Sequence, residues 1–335
     1  MLESTFFKLQ LPDETHLKRW LTEREGEIRI GQNVLFRSSL ETDVKGKTDS
    51  WKGKRFHILG IKEDLGPRLN GGKGGSEAAF EAFIPRFLGV QSNQFLTGNS
   101  ICIHGFIELL EPIEMISHAH VDDLDYLISI WVKEVVDCGG IPIVIGGGHN
   151  NAYPIIKGVS ESMGLAISVV NLDPHADTRV MEGRHSGNPF SYAYEYGFLG
   201  HYSVLGLHES YNNQFILDHL HEMKAFFTFY ESWLEKPFKF QADIDKVYDS
   251  HFQTVMGVEL DMDAIAYMPS SAFTPSGITV DQARIYVRKM ASLEKVCYLH
   301  LPEAAPKNET DELIVGKALT YLVADFVKEY QKHHL

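Results

Sequence analysis

Residues 166–177 read Ala166-Ile167-Ser168-Val169-Val170-Asn171-Leu172-Asp173-Pro174-His175-Ala176-Asp177. The apolar run predicts a buried parallel strand that ends at Leu172. If the chain stays extended past that end, Asp173, His175 and Asp177 fall on one side, because side chains alternate along a strand. Two carboxylates and an imidazole gathered there would repel one another and lose solvation without a cation between them. Their oxygen and nitrogen donors suit manganese, zinc or iron, so the stretch predicts a metal site.

Two further segments repeat this pattern of a buried strand followed by metal-binding side chains. Residues 255–260 predict a strand that runs into Asp261 and Asp263. Residues 141–145 predict another, which ends in three glycines and His149; the glycines allow a tight turn. Ligands of open α/β sheets bind at the carboxyl edge, where these tips would meet. A solvated loop would explain any one of the tips, but three together favour a centre with two divalent ions.

These motifs resemble those of the ureohydrolases, the family of arginase, agmatinase and formimidoylglutamase. The family motifs GG-D-H, D-A-H-x-D and S-x-D-x-D correspond to residues 146–149, 173–177 and 259–263. A fourth motif, a Glu two residues before Ala or Asn and then Pro, corresponds to residues 303–306. The resemblance covers roughly residues 55–330 and implies a three-layer α/β/α fold with a mostly parallel central sheet.

The resemblance also implies two manganese ions per chain. The first ion would be bound by His149, Asp173, Asp177 and Asp261. The second ion would be bound by His175, Asp173, Asp261 and Asp263, with Asp173 and Asp261 bridging the two. The catalytic candidates implied by the resemblance are Asp263, Glu303 and His175. Glu303 would hold the amidine-like group of the substrate, and Asp263 would pass a proton to the leaving amine.

The substrate loop resembles that of formimidoylglutamases. Ser186-Gly187-Asn188 matches the S-G-N of the family, and Phe190 stands where arginases have a His. Arg179 follows the last Asp of the metal motif by two residues, as in formimidoylglutamases. N-formimino-L-glutamate carries two carboxylates, which guanidinium groups bind in bidentate fashion. The predicted substrate-binding residues are therefore Arg179, Arg184, Ser186 and Asn188.

The predicted reaction is the metal-assisted hydrolysis of N-formimino-L-glutamate to L-glutamate and formamide, a step of histidine degradation. One departure is Gly148, where the family usually has an Asp that partners the metal-site His; such a loss weakens metal binding. Two alternatives stay open. The protein could be an agmatinase, an arginase or another guanidino-acid hydrolase, or it could be a catalytically silent relative that acts in binding or assembly.

Composition narrows the class of protein further. The 335 residues are 44% hydrophobic, which is ordinary for a globular protein. The net charge of −14 and the absence of a basic stripe argue against a nucleic-acid partner. Three cysteines without zinc spacing indicate reduced thiols and a cytoplasmic protein. No signal peptide or membrane-length apolar run is visible. The expected partner is a small-molecule substrate, and the resemblance implies a homo-oligomer, a trimer or a hexamer.

The chain organisation predicts one main unit. Residues 1–50 are expected to form an N-terminal extension packed on a single catalytic domain of residues 51–335. Strand signals alternate with amphipathic helices, notably about residues 121–136 and 312–332, which predicts a largely parallel sheet covered on both faces.

Overall fold

The computed structural model describes residues 2–37 and 50–334. Most of the polar stretch 39–50 of the expected extension lies outside these ranges. Within the described residues, ten strands form one sheet: β1 (Phe7–Gln10), β2 (Leu35–Phe36), β3 (Phe56–Lys62), β4 (Ile101–Leu109), β5 (Ile141–Ile145), β6 (Ile167–Leu172), β7 (Leu199–Leu207), β8 (Phe226–Phe229), β9 (Met256–Leu260) and β10 (Val296–Leu301). Their order is β1-β4-β3-β5-β10-β9-β6-β7-β8, and β2 also pairs with β4.

Eleven helices in the described part of the chain cover this sheet: α1 (Glu14–Trp20), α2 (Leu65–Leu69), α3 (Ala79–Leu88), α4 (His118–Asp137), α5 (Ala152–Met163), α6 (Pro189–Glu195), α7 (Gln214–Glu222), α8 (Tyr230–Glu235), α9 (Lys239–His251), α10 (Val280–Ala291) and α11 (Glu309–His334). The buried side chains form two apolar cores. One core lies under α3, α9, α10 and α11, and the other lies under α4–α7. The predicted three-layer α/β/α fold is confirmed.

The order of the central strands positions the predicted site. The strands β5, β10, β9 and β6 are neighbours, and each pairing among them is parallel. Their carboxyl ends therefore meet at one edge of the sheet. All four are buried at every residue except the partly buried Ser168 of β6, which explains why their sequences are mostly apolar runs rather than alternating patterns. Each fully buried Leu, Ile or Val side chain contributes about 1.5–3 kcal/mol to holding these tips in place.

The amino-terminal segment packs against the sheet. Strand β1 is antiparallel to β4, with Phe7 opposite Leu109. The carboxylate of Asp123 on α4 accepts hydrogen bonds from the Ser4 hydroxyl at 2.7 Å and from the Phe6 amide at 2.8 Å. No helix among the described residues combines the length and the apolar character needed to cross a membrane.

A chain of buried hydrogen bonds links two histidines of the sheet. The indole nitrogen of Trp131 lies 3.0 Å from Nδ1 of His104, and Nε2 of His104 lies 2.9 Å from Nδ1 of His57. Nε2 of His57 lies 2.9 Å from the carbonyl oxygen of Lys54. Because an indole N–H only donates, each ring accepts at Nδ1 and donates at Nε2, and both rings are neutral.

This chain predicts a loss of stability in acid. Burial lowers the pKa of His57 to about 4 and the pKa of His104 well below its ordinary value. As the pH falls from the ordinary histidine pKa towards about 4, the unfolded chain takes up protons that the folded protein excludes. The free energy of unfolding should therefore fall by about 3 kcal/mol from His57 alone. Urea unfolding at about pH 7 and about pH 4 measures this change, and a His57→Gln variant should show a smaller difference. An equal difference in the variant would contradict the assignment.

Candidate metal centre

Three glycines bring His149 to the end of β5. Gly146 and Gly147 have φ values of +83° and +71°, the left-handed region that favours glycine. A Cβ on Gly148 would lie 2.3 Å from Cδ of Pro67 and 2.4 Å from Oδ1 of Asn150, so a side chain does not fit there. The tight turn leads into a 3-10 helix (His149–Asn151) that carries the imidazole.

Turns also bring the aspartates together, and the expectation of an extended chain after β6 is wrong. The carboxylate of Asp173 accepts the amide of His175 at 2.7 Å, and Asp177 has a φ of +52°. Similarly, the carboxylate of Asp261 accepts the amide of Asp263 at 2.7 Å and opens a 3-10 helix (Met262–Ala264). Each acid thus folds the chain back over the strand tip, which alternation along a strand cannot predict.

The first predicted ligand set is gathered around one nitrogen atom. Nδ1 of His149 lies 3.1 Å from Oδ2 of Asp173, 2.9 Å from Oδ2 of Asp177 and 3.0 Å from Oδ2 of Asp261. None of these oxygens forms an aligned hydrogen bond with Nδ1, which is fully buried. Three carboxylate oxygens and one imidazole nitrogen that converge without hydrogen bonding are a donor set that could hold a metal ion.

The second predicted ligand set adjoins the first, with a longer distance between its donor atoms. Oδ1 of Asp173 lies 3.4 Å from Nδ1 of His175, so the two oxygens of Asp173 face two different histidines, as a bridging carboxylate would. The ring of His175 stacks on Tyr211, with ring centres 5.3 Å apart. Asp263 accepts the amide of Ala272 at 3.0 Å.

The electrostatics of the cluster fit divalent cations. Burial, together with the charges of Asp263 and Asp173, raises the pKa of Asp261 well above its ordinary value. Burial and the charge of Asp173 likewise raise the pKa of Asp177. Burial alone would lower the pKa of His149, but the surrounding carboxylates raise it well above the ordinary value. The metal-free cluster thus retains protons that metal ions would replace.

A cavity of about 280 Å³ opens over the cluster. It is lined by these predicted site residues: His175, Asp177, Arg179, Ser186, Asp261, Asp263 and Glu303. A larger cavity of about 810 Å³, lined by most of residues 90–97, by Arg288 and by the last turns of α11, contains none of them. The smaller cavity is the candidate active site because the convergent polar groups lie there.

Glu303 is held in a strained conformation at the tip of β10. Its φ of +68° is unusual for a residue with a side chain. Its Oε1 accepts the amide of His149 at 2.6 Å, and its buried Oε2 has no hydrogen-bond partner among the described residues. Burial and the charge of Asp263 raise the pKa of Glu303 to about 8. A cationic nitrogen of a ligand would satisfy this carboxylate.

The structure separates the two predicted substrate arginines. Arg179 lines the cavity, with its side chain 47% exposed, and donates to Oδ1 of Asn70 at 2.7 Å. Arg184 is buried instead, and its Nε donates to Asp125 at 2.8 Å. Its guanidinium lies between the rings of Tyr153 and Tyr192. Arg184 therefore anchors the substrate loop to α4 and does not face the cavity.

The two predicted polar residues of the loop are separated in the same way. Ser186 lines the cavity and accepts a hydrogen bond from Asn70 at 3.3 Å. Asn188 is fully buried and donates to the carbonyl oxygens of Val180 at 3.1 Å and Gly183 at 2.8 Å. Asn188 closes the loop on itself, so its placement fits a structural role better than the predicted contact with substrate.

Sequence reasoning missed two buried carboxylates beside the centre. Glu63, directly after β3, accepts the amide of Gly148 at 2.8 Å and Nδ2 of Asn151 at 2.9 Å. Glu259 lies within β9, with Oε2 3.5 Å from Nε2 of His149. An acid inside an apolar strand was the available signal for Glu259, because such a charge is costly to bury without a partner. Sequence reasoning also missed Tyr211, which lines the cavity and stacks on His175. Its sequence neighbours on a loop gave no comparable signal.

The chain matches known proteins over most of its length. The sequence model of the arginase family matches residues 102–329. A formimidoylglutamase of Streptococcus pyogenes serotype M12 (strain MGAS2096) is 24% identical over 286 residues, which cover 81% of this chain and 84% of the relative. The structure of Trypanosoma cruzi formiminoglutamase with Mn²⁺ matches with a TM-score of 0.72 and 19% identity, covering 91% of this chain and 98% of that one. Formimidoylglutamase from Bacillus subtilis subsp. subtilis str. 168 matches with a TM-score of 0.75 and 15% identity, covering 94% and 96%.

The matched region of the family model exceeds half of the 335 residues. The chain belongs to the arginase family, as its four motifs had indicated.

Proposed function

We propose that this protein is a manganese-dependent formimidoylglutamase that hydrolyses N-formimino-L-glutamate to L-glutamate and formamide. The observation that carries the proposal is the convergence of three aspartates on Nδ1 of His149, beside a cavity lined by Arg179. Membership of the arginase family and the 24% identity to a formimidoylglutamase support it.

The proposed ligands of two manganese ions are the six residues of the predicted sets: His149, Asp173, His175, Asp177, Asp261 and Asp263. When bound, the ions would supply a more acidic water and Lewis-acid polarisation of the substrate. We propose Asp263, Glu303 and His175 as catalytic residues, and their positions on the cavity wall support this proposal.

Glu303 would orient the formimino group. Its Oε1 is fixed by the amide of His149. Its Oε2, which has no hydrogen-bond partner in the described part of the chain, is able to accept an N–H from the cationic amidine. The reaction breaks the bond between the formimino carbon and the glutamate nitrogen, and the oxygen of water ends in formamide. The leaving amine needs a proton, and we assign that transfer to Asp263, which the amide of Ala272 holds at the cavity wall.

Cationic side chains around the cavity mouth would receive the two carboxylates. Arg179 and Ser186 both line the cavity, and both form a hydrogen bond with Asn70. An adjoining cavity shares His175 and Tyr211 with the first and is also lined by Lys73 and Lys307. The protein carries a net charge of −14, so local cations of this kind are needed to hold a dianionic substrate.

An Arg179→Ala variant tests this recognition. We expect KM for N-formimino-L-glutamate to rise by about 10- to 100-fold, since a charge-assisted hydrogen bond contributes about 1.5–3 kcal/mol. Hydrolysis of an N-formimino amine without carboxylates should change little in the variant. Steady-state release of the free amine from both substrates measures the two effects. The matched control is Arg24→Ala, because Arg24 is 71% exposed and pairs with Glu27 away from the cavity. An equal loss on both substrates would contradict a carboxylate-binding role.

Arginase activity is less compatible with the site. Phe190, at the position where arginases have a His, is fully buried and packs edge-on against His149, with ring centres 5.4 Å apart. It offers no proton-transfer group to the cavity. A panel of N-formimino-L-glutamate, agmatine and arginine with manganese-loaded protein decides the substrate. Activity on agmatine or arginine alone would overturn the proposal.

We further propose a role in histidine degradation, a cytoplasmic location and a homo-oligomer of three or six chains. Residues 51–335 would form the catalytic domain, with residues 1–50 as an extension packed on it. The pairing of β1 with β4 supports that packing.

A further inference from the structure

Glu259 is a charged residue in the middle of the sheet. It is fully buried on β9, directly opposite Asn171 on β6 and His300 on β10. These three side chains form a polar row across adjacent strands that are otherwise mostly apolar. A carboxylate in such a place is costly unless several donors satisfy it.

Two donors satisfy Glu259, and one histidine lies beyond them. The hydroxyl of Tyr298 donates to Oε1 at 2.7 Å, and Nδ1 of His300 lies 2.6 Å from Oε2. Nε2 of His149 lies 3.5 Å from the same Oε2, a distance longer than a good hydrogen bond. Oε2 is thus bound to His300 and lies beside the back of the His149 ring, whose Nε2 has no hydrogen-bond partner among the described residues.

The orientation of the His149 ring places a different nitrogen on each side of it. Its Nδ1 faces the three aspartates, so its Nε2 carries the proton whenever Nδ1 binds a metal ion. Among the residues that the structure describes, Glu259 provides the one carboxylate beside Nε2. Metal-binding histidines generally donate their second N–H to such a carboxylate, which fixes the ring and strengthens the metal bond.

Position 148 cannot supply that partner. A Cβ there would overlap Pro67 and Asn150, and the amide of Gly148 already donates to Glu63 at 2.8 Å. The carboxylate that the family usually carries next to this histidine is therefore sterically excluded. The weak metal binding expected from Gly148 would follow only if no other carboxylate were the partner of His149.

We propose that Glu259 is a positioning residue of the metal centre, which holds His149 through Nε2 in place of the acid missing at position 148. This inference rests on the proposed metal-dependent function, but not on the identity of the substrate. Glu259 and His300 line neither cavity at the centre, so they act through His149 rather than on a substrate.

Manganese affinity of the intact protein tests the role. We expect Glu259→Gln and Glu259→Asp to weaken the tighter manganese site by about 10- to 100-fold, measured by calorimetric titration of the metal-free proteins. Glu259→Asp keeps the charge but moves it away from His149 by the length of one methylene. This variant tests the proposal if the Gln variant does not fold. Tyr298→Phe removes a donor from Oε1 alone and should change the affinity less than about threefold.

A matched control separates positioning from general stability. Asp243 is another buried carboxylate, bound to Trp233 at 2.8 Å and to Lys239 at 3.1 Å, without contact to the centre. Asp243→Asn should lower the unfolding temperature of metal-free protein without changing manganese affinity. Affinities of both Glu259 variants within about threefold of the parent would overturn the proposal. If the unsubstituted protein binds no manganese, both the role of Glu259 and the proposed function are overturned. If it binds manganese but is inactive on N-formimino-L-glutamate, only the proposed substrate is overturned.

Discussion

An Asp261→Ala variant is expected to lose glutamate release from N-formimino-L-glutamate, with kcat reduced by about 10³-fold or more. Asp261 contributes an oxygen 3.0 Å from Nδ1 of His149, and its other oxygen fixes the amide of Asp263. The substitution thus removes one proposed ligand and loosens another. Bound manganese, measured by atomic emission after gel filtration, should fall below the two ions per chain expected of the parent.

The metal-free protein gives the decisive control for Asp261. Burial and neighbouring charges raise the pKa of Asp261, so removing this carboxylate relieves repulsion when no metal is bound. The variant should therefore unfold at no lower a temperature than the parent when both are metal-free. Asp281→Ala, at a side chain 88% exposed, should keep full activity. Retention of full activity and manganese by Asp261→Ala would refute the metal-centre assignment.

Replacement of Arg184 by methionine is expected to lower the free energy of unfolding by about 3–5 kcal/mol. The guanidinium of Arg184 is the partner of Asp125, which lies buried on α4, and it also donates to the carbonyl oxygen of Asn150 at 2.7 Å. Without Arg184, the Asp125 carboxylate would be left unpaired among apolar side chains.

The pH dependence of this loss follows from Asp125. Burial already raises the pKa of Asp125 to about 6, although Arg184 acts to lower it. In the variant that pKa would rise further, so the folded state gains a proton as the pH falls and the difference from the parent narrows in acid. Urea unfolding at several pH values measures both effects. The double variant Asp125→Asn with Arg184→Met should recover part of the loss, and a loss below about 1 kcal/mol in the single variant would contradict the pairing.

The strands of the site could be predicted from the sequence because they are buried on both faces. The runs before Asp173, Asp261 and His149 are mostly apolar segments, and their observed ends differ from the predicted ones by at most one residue. The resemblance of four motifs then led to the first ligand set. Strand β4 was not singled out, although Ile101–Leu109 is mostly buried.

The details beyond the strand ends could not be predicted, because they depend on long-range packing. Local hydrogen bonds turn the chain after Asp173 and Asp261, where alternation along a strand had been expected. The ion pair between Arg184 and Asp125 joins residues 59 positions apart. A sequence pattern does not distinguish such a buried guanidinium from one that faces a cavity, as Arg179 does.

The order of strands in the sheet implies that the metal centre forms late in the synthesis of the chain. The last strand, β10, lies between β5, which carries His149, and β9, which leads to Asp261. A nascent chain that lacks residues 296–301 has no strand to join these two halves. Manganese capture should therefore be a late event that follows emergence of the final strand from the ribosome, and the aspartates should stay protonated or solvated until then.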